Sequence, residues 1–131
     1  MWIEMMKAKI HRATVTEADL SYEGSISICP HLIKKAGFLT HEKVDVYNCN
    51  SGSRLSTYVI RGKPGQICLN GAAARHVQKG DVVIIVSYAQ LSREEAETHQ
   101  PRVVFVDDEN RPRELRLESV SRNRTSRSHR V

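Results

Sequence analysis

Gly24-Ser25 is the pair in this chain whose residue types could rearrange the polypeptide itself. A glycine lets the backbone enter strained geometry, and the serine hydroxyl can then fold back onto the preceding carbonyl. Attack there exchanges the amide for an ester. Elimination from Ser25 and hydrolysis leave a ketone at a new chain start, a pyruvoyl group, which condenses with amines. Lys9 and His11 lie upstream on a strand-like stretch. Gly-Ser is also a common turn dipeptide, and spacing alone does not separate the two readings.

Other chemistries find little footing. Cys29, Cys49 and Cys68 are odd in number and widely spaced, which fits neither a zinc ribbon nor a redox pair. They read as buried or half-buried thiols. The six histidines are scattered without a His-Glu-x-x-His pattern, so no metal is expected. A Gly-x-Ser-x-Gly elbow is missing, as is a glycine-rich phosphate loop. A pyridoxal enzyme would need a larger fold than 131 residues allow.

The net charge of +5 is a property of the end of the chain. From Arg111 onward there are seven Arg against two Glu, while the body holds 13 basic and 13 acidic residues. The segment 111–131 reads as a disordered tail with little to bury. Nucleic acid is not an expected partner, because aromatic residues are not interleaved with the basic ones. A small nucleic-acid-binding barrel is the rival reading, with its affinity carried by that tail. The first residues lack a signal-peptide core, and no apolar run reaches membrane-spanning length, so the cytoplasm is expected.

The elements that must position Ser25 are mainly strands. Met6 to Ala13 alternates, with Lys7, Lys9 and His11 on one face and Ala8 and Ile10 on the other. Thr16 to Asp19 resembles a capping box, which predicts a helical turn over Ala18-Asp19-Leu20. Pro30 opens a short helix through Ala36, capped by Gly37. Strands are predicted over 43–49, over 54–60 with Arg54, Ser56 and Tyr58 on one face, over 67–69, and over 103–106. Val82 to Val86 is apolar on both faces and predicts the most deeply buried strand. Ser92 and Glu95 form a second capping box before a brief helix. Many short strands joined by Gly-rich turns indicate a small closed or nearly closed barrel.

Five blocks occur in an order that resembles the pyruvoyl-dependent aspartate decarboxylase family. They are Lys9-Ile10-His11-Arg12-Ala13 with Ala18-Asp19-Leu20, then Tyr22-Glu23-Gly24-Ser25, then Asn50 and Gly52 with Arg54-Leu55-Ser56-Thr57-Tyr58. Asn70-Gly71-Ala72-Ala73-Ala74 and Gly80-Asp81-Val82-Val83-Ile84-Ile85 complete the set. The resemblance runs from about Met6 to about Asp107. It implies a small double-psi β-barrel with short helices, a domain over 1–110, and a proenzyme that cuts itself between Gly24 and Ser25. It further implies a pyruvoyl cofactor derived from Ser25, which takes L-aspartate as an imine and yields β-alanine and CO₂ for pantothenate synthesis. A homotetramer with sites between subunits is implied too. Some relatives use an acetyltransferase-like maturation factor and others process unaided, so both alternatives stay open.

Taken singly, Lys9, Arg54, Thr57, Tyr58 and Asn70-Gly71 read as ordinary strand or turn residues. The resemblance gives them roles. Thr57 would support the Gly24 carbonyl during cleavage. Arg54 would grip the retained carboxylate, with Lys9 as a second cation. Asn70 and Gly71, with the amides near Ala72 and Ala73, would orient the substrate. Tyr58, on the Arg54 face, would donate the closing proton. His11 and Tyr22 are candidates for supporting positions, and His11 reads equally as a packing residue. Two departures are visible: Cys29 stands where some relatives carry aspartate, and Tyr47 where some carry tryptophan.

Overall fold

The computed structural model describes residues 1–118 and the backbone of 127–130. Its first strand is β1 (Trp2–Thr14), followed by β2 (Glu17–Asp19), β3 (Ser25–Ile28), the helix α1 (Pro30–Ala36), β4 (Lys43–Asn48) and β5 (Arg54–Arg61). Then come β6 (Ile67–Asn70), a 3₁₀ turn (Gly71–His76), β7 (Val82–Ser92), the helix α2 (Arg93–Thr98), β8 (Arg102–Val106), β9 (Pro112–Leu117) and β10 (Arg127–Arg130). The fold is mainly β with short helices, as the alternation predicts.

Strands pair in the order β10-β9-β8-β1-β7-β4-β5-β3-β6-β2. No pair among the described residues joins the two end strands. The ring is bridged by the chain itself instead. β1 pairs antiparallel with β7, and β2, which follows two residues later, pairs parallel with β6. In the link between them, the Val15 N–H donates to Asp81 O and the Thr16 N–H to Ile67 O, both at 2.8 Å. One continuous stretch thus spans from β7 to β6, and the route back runs through β4, β5 and β3. The interior holds Ala8, Ile10, Val15, Ile26, Ile28, Val44, Val46, Val59, Leu69, Val83 and Ile85, all fully buried. This arrangement fits the small barrel expected.

Local chemistry explains most boundaries. Pro30 starts α1, and Gly37 ends it in the left-handed region at φ 76°, donating its N–H to Ile33 O. Ser92 and Glu95 form the reciprocal capping box of α2. In β1 the register against β7 shifts between Ile10 and Ala13, where Arg12 takes φ 63°. That bulge bends the strand just after His11.

Four expectations are corrected. Cys49 is exposed, not buried or half-buried. Residues 17–19 form β2, not a helical turn. The Thr16 hydroxyl is used in the sheet, accepting the Ile67 N–H at 3.0 Å and donating to Ile67 O at 3.0 Å. Pairing with β6 satisfies backbone groups that a helical turn would have left open. The apolar run at 82–86 does not meet the core on both faces: Val83 and Ile85 belong to the core, while on the other face Val82 and Ile84 are half-exposed and Val86 is buried outside the core cluster. β7 lies in a single layer between β1 and β4, so only one face meets the core. Finally, 112–117 and 127–130 lie inside the stretch read as a disordered tail, yet they form β9 against β8 and β10 against β9. Leu115 of β9 packs on the core, so this part does have something to bury. The rest of the tail expectation, at 119–126 and 131, lies outside the described residues.

Candidate active site

β3 and β6 run antiparallel, with Ser25 opposite Asn70 and Ser27 opposite Cys68. The register puts two serines, an asparagine and a cysteine side by side on adjacent strands. All four are buried, with Ser25 at 1%, Asn70 and Cys68 at 3% and Ser27 at 9% exposure. The Asn70 side-chain amide donates to Ser25 Oγ at 2.9 Å and to Ser27 Oγ at 3.0 Å. Ser25 Oγ donates to Glu23 O at 3.1 Å, so the hydroxyl is turned back over the 22–24 backbone. Cys68 Sγ lies 3.2 Å from Asn70 Oδ1. Burial, then the charges of Glu17 and Asp19, push the Cys68 thiol up from its ordinary pKa, which keeps it protonated.

Gly71 follows Asn70 and has φ +65°. A Cβ there would lie 2.7 Å from Gly24 N and 3.0 Å from Tyr22 O. Only glycine lets the 22–24 segment pass this close. Gly24 itself has open space around it. It borders a cavity of about 320 Å³ lined by Leu55, Ser56, Thr57, Tyr58, Ala72, Ala73 and His76. Tertiary folding therefore gathers Gly24, Ser25, Thr57, Tyr58 and residues 70–73 around one bond.

The remaining candidates lie elsewhere on the same chain. Lys9 pairs with Val86, Val86 with Asp45, and Asp45 with Ser56, a row across four strands. Three strand spacings separate Lys9 from Ser56 by about 14 Å along the sheet. Arg54 is exposed, with its guanidinium 4.5 Å over the Tyr47 ring. The Tyr47 and Tyr88 hydroxyls share a hydrogen bond of 2.7 Å, and this bond with burial pushes the Tyr88 phenol up to about 12. His11 packs edge-on against Phe105 at 5.4 Å and borders a second cavity with Arg12, Asp107 and Arg113. Burial first, then Lys9 and Arg12, lower its pKa. The Tyr22 side chain is exposed.

The family model for aspartate decarboxylase matches residues 1–113. The chain belongs to the aspartate decarboxylase family. It is 63% identical to the aspartate 1-decarboxylase of Bdellovibrio bacteriovorus, covering 95% of this chain and all of that relative. It is 59% identical to the aspartate 1-decarboxylase of Campylobacter hominis, over 84% of this chain and 96% of that one. The enzyme of the same name from Caldicellulosiruptor bescii is also 59% identical, over 85% and 88%. The Bdellovibrio match covers more of the chain than the family model, so it extends into the basic C-terminal segment.

Sequence reasoning assigned Asn70 to substrate alone and missed its contact with Ser25. Ser27 and His76 have no role in that reading, and Cys68 appears in it only as a buried or half-buried thiol, which it is. Ser25 and Ser27, like Cys68 and Asn70, are two apart and share a face. That signal was present, but only the β3–β6 pairing brings the two faces together. Among the described residues no cluster of three metal-ligating side chains occurs, and no helix is long and apolar enough to cross a membrane.

Proposed function

We propose that this chain matures by cutting itself at Gly24–Ser25 and then removes the α-carboxylate of L-aspartate as CO₂, giving β-alanine for pantothenate synthesis. One observation carries the maturation reading: Ser25 Oγ is buried, accepts from Asn70 and is folded back along the segment that ends at Gly24. Ser25 Oγ bonds to the Gly24 carbonyl carbon as the Gly24–Ser25 C–N bond breaks, and the hydroxyl proton passes to the new Ser25 amine. Loss of the Ser25 α-proton then breaks the Cβ–Oγ bond, and Gly24 leaves as a carboxylate. Tautomerisation and attack by one water release ammonia and leave a ketone. Thr57, on the same cavity, supports the Gly24 carbonyl oxygen in the first step. Asn70 donates to the oxygen that leaves in the second.

The residues present fit a pyruvoyl group. Gly71 leaves room for the backbone beside it, and the cavity opens at Gly24. When present, that ketone supplies an electrophile for the substrate amine and a sink for the electrons left by CO₂. The chain's own residues do the rest. Tyr58 lines the cavity and delivers the proton from its Oη to the α-carbon. Asn70, Gly71 and the amides near Ala72 and Ala73 orient the substrate. Arg54 grips the retained carboxylate with its paired donors, and Lys9 adds a second positive charge.

In one chain Arg54 and Lys9 do not line the cavity at Gly24. The reading therefore includes a homotetramer in which a neighbouring copy brings its cations to that cavity, with His11 and Tyr22 in support. Free cysteines, with Cys49 exposed, suit a reducing cytoplasm. A maturation factor is an optional partner in this scheme.

The decisive measurement is a denaturing mass spectrum of purified protein. We expect fragments 1–24 and 25–131, the larger carrying a ketone, and a single uncut chain for Ser25→Ala. The same two fragments from Ser25→Ala would overturn the maturation reading. Cleaved Tyr58→Phe should form the ketone and yet release β-alanine at least about 100-fold more slowly, the scale of a lost general acid. Wild-type turnover in that variant would remove Tyr58 from the donor role.

A further inference from the structure

We propose that Cys68 and Ser27 are positioning residues for self-cleavage: together they fix the Asn70 carboxamide so that its N–H faces Ser25 Oγ. The inference rests on the maturation reading above. A carboxamide presents two donors on one side and an acceptor on the other, and it can turn over. In one orientation Asn70 Nδ2 lies 2.9 Å from Ser25 Oγ and 3.0 Å from Ser27 Oγ, with Oδ1 toward Cys68 Sγ at 3.2 Å. In the other, Oδ1 would face both serine oxygens and the amide N–H groups would face sulfur.

Hydrogen counting selects between them. Ser25 has one hydroxyl proton, and it is directed at Glu23 O. Its oxygen must then accept, which requires the N–H side of Asn70. Ser27 Oγ takes the second N–H, so both donors of the buried Asn70 amide are used. The protonated thiol supplies the remaining hydrogen to Oδ1. Its other nearby acceptor, Leu69 O, is farther at 3.9 Å. Each partner thus favours the same orientation.

The orientation matters because of where charge develops. Ser25 Oγ becomes the ester oxygen and then leaves with Gly24 as part of a carboxylate. Asn70 N–H groups stabilise that charge, whereas Oδ1 would repel it. A side chain at 68 that cannot donate removes one of the constraints on the amide. A serine there keeps an O–H donor.

The test uses the full-length precursor and follows intact mass with time. Wild type should convert to two fragments. Cys68→Ala should convert about five- to tenfold more slowly, the scale of one lost hydrogen bond. Cys68→Ser should recover the rate to within about twofold, since it keeps the donor. Ser27→Ala, which strands one Asn70 N–H, should also be slowed. Urea unfolding of each substitution in a Ser25→Ala background reports folding separately. Cys68→Ala at the wild-type rate would overturn the proposal, and so would Cys68→Ser as slow as Cys68→Ala, because size and not donation would then be at work. Absence of cleavage in wild type would overturn the maturation reading and this inference with it. Normal wild-type cleavage with unaffected variants would sink the inference alone.

Discussion

Replacing Gly71 by alanine tests how closely the cleavage segment is held. The new Cβ would sit 2.7 Å from Gly24 N and 2.8 Å from Gly24 Cα. Ordinary contact begins near 3.4 Å, so the backbone at Gly24 must retreat by roughly 0.7 Å. Gly71 also has φ +65°, which costs an alanine about 1–2 kcal/mol. Overpacking against backbone adds about 1–3 kcal/mol. Gly52→Ala is the control: its φ is +81°, but nothing lies within 4 Å of its Cβ. It pays the conformational cost without the clash. Urea unfolding in a Ser25→Ala background should therefore show a loss of about 2–5 kcal/mol for Gly71→Ala and about 1–2 kcal/mol for Gly52→Ala. In chains that retain Ser25, Gly71→Ala should cleave more than about tenfold more slowly and Gly52→Ala at the normal rate, since the displaced Gly24 carbonyl is the atom Ser25 must reach. Equal stabilities for the two variants, together with normal cleavage of Gly71→Ala, would refute the argument.

Two further outcomes are expected. Asn110 is buried, accepts the Thr14 N–H at 2.7 Å and donates to Thr14 O and Gly65 O at 2.8 and 3.0 Å. Asn110→Ala leaves those backbone groups unpaired and should cost about 2–4 kcal/mol on urea unfolding of the uncut chain; a loss under about 1 kcal/mol would mean that water replaces the side chain. For His11, burial and the Lys9 and Arg12 charges depress the pKa below its ordinary 6.5. The unfolded chain then binds this proton more readily, so stability is full above 6.5 and falls as pH drops through that value toward the folded pKa. Comparing unfolding midpoints at about pH 7.5 and about pH 5.5 should show a smaller drop for His11→Gln than for wild type, and an unchanged drop would exclude His11 as its source.

Much of the fold was legible because short-range rules carry it. Proline at the start and glycine at the end place α1 to the residue, and the Ser92–Glu95 pair marks α2. Alternation finds the inner face of β1 and the outer row Arg54, Ser56 and Tyr58, since side chains of a strand alternate whatever lies beside it. The capping-box rule failed at 17–19, where pairing with β6 redirects the Thr16 hydroxyl. The apolar run misled at 82–86, where the number of layers decides whether both faces are covered.

The sequence by itself determined the chemistry on offer: a Gly-Ser bond, a donor-bearing strand from Arg54 to Tyr58, and the motif order that marks the family. Which groups meet was decided by tertiary structure alone. Ser25 and Asn70 are 45 residues apart, and nothing local binds them; the antiparallel register of β3 and β6 sets them face to face and brings Ser27 and Cys68 alongside. The same pairings leave Lys9 and Arg54 outside the cavity at Gly24. Register is a property of two strands at once, so one residue of slip would have sent every one of these side chains to the opposite side.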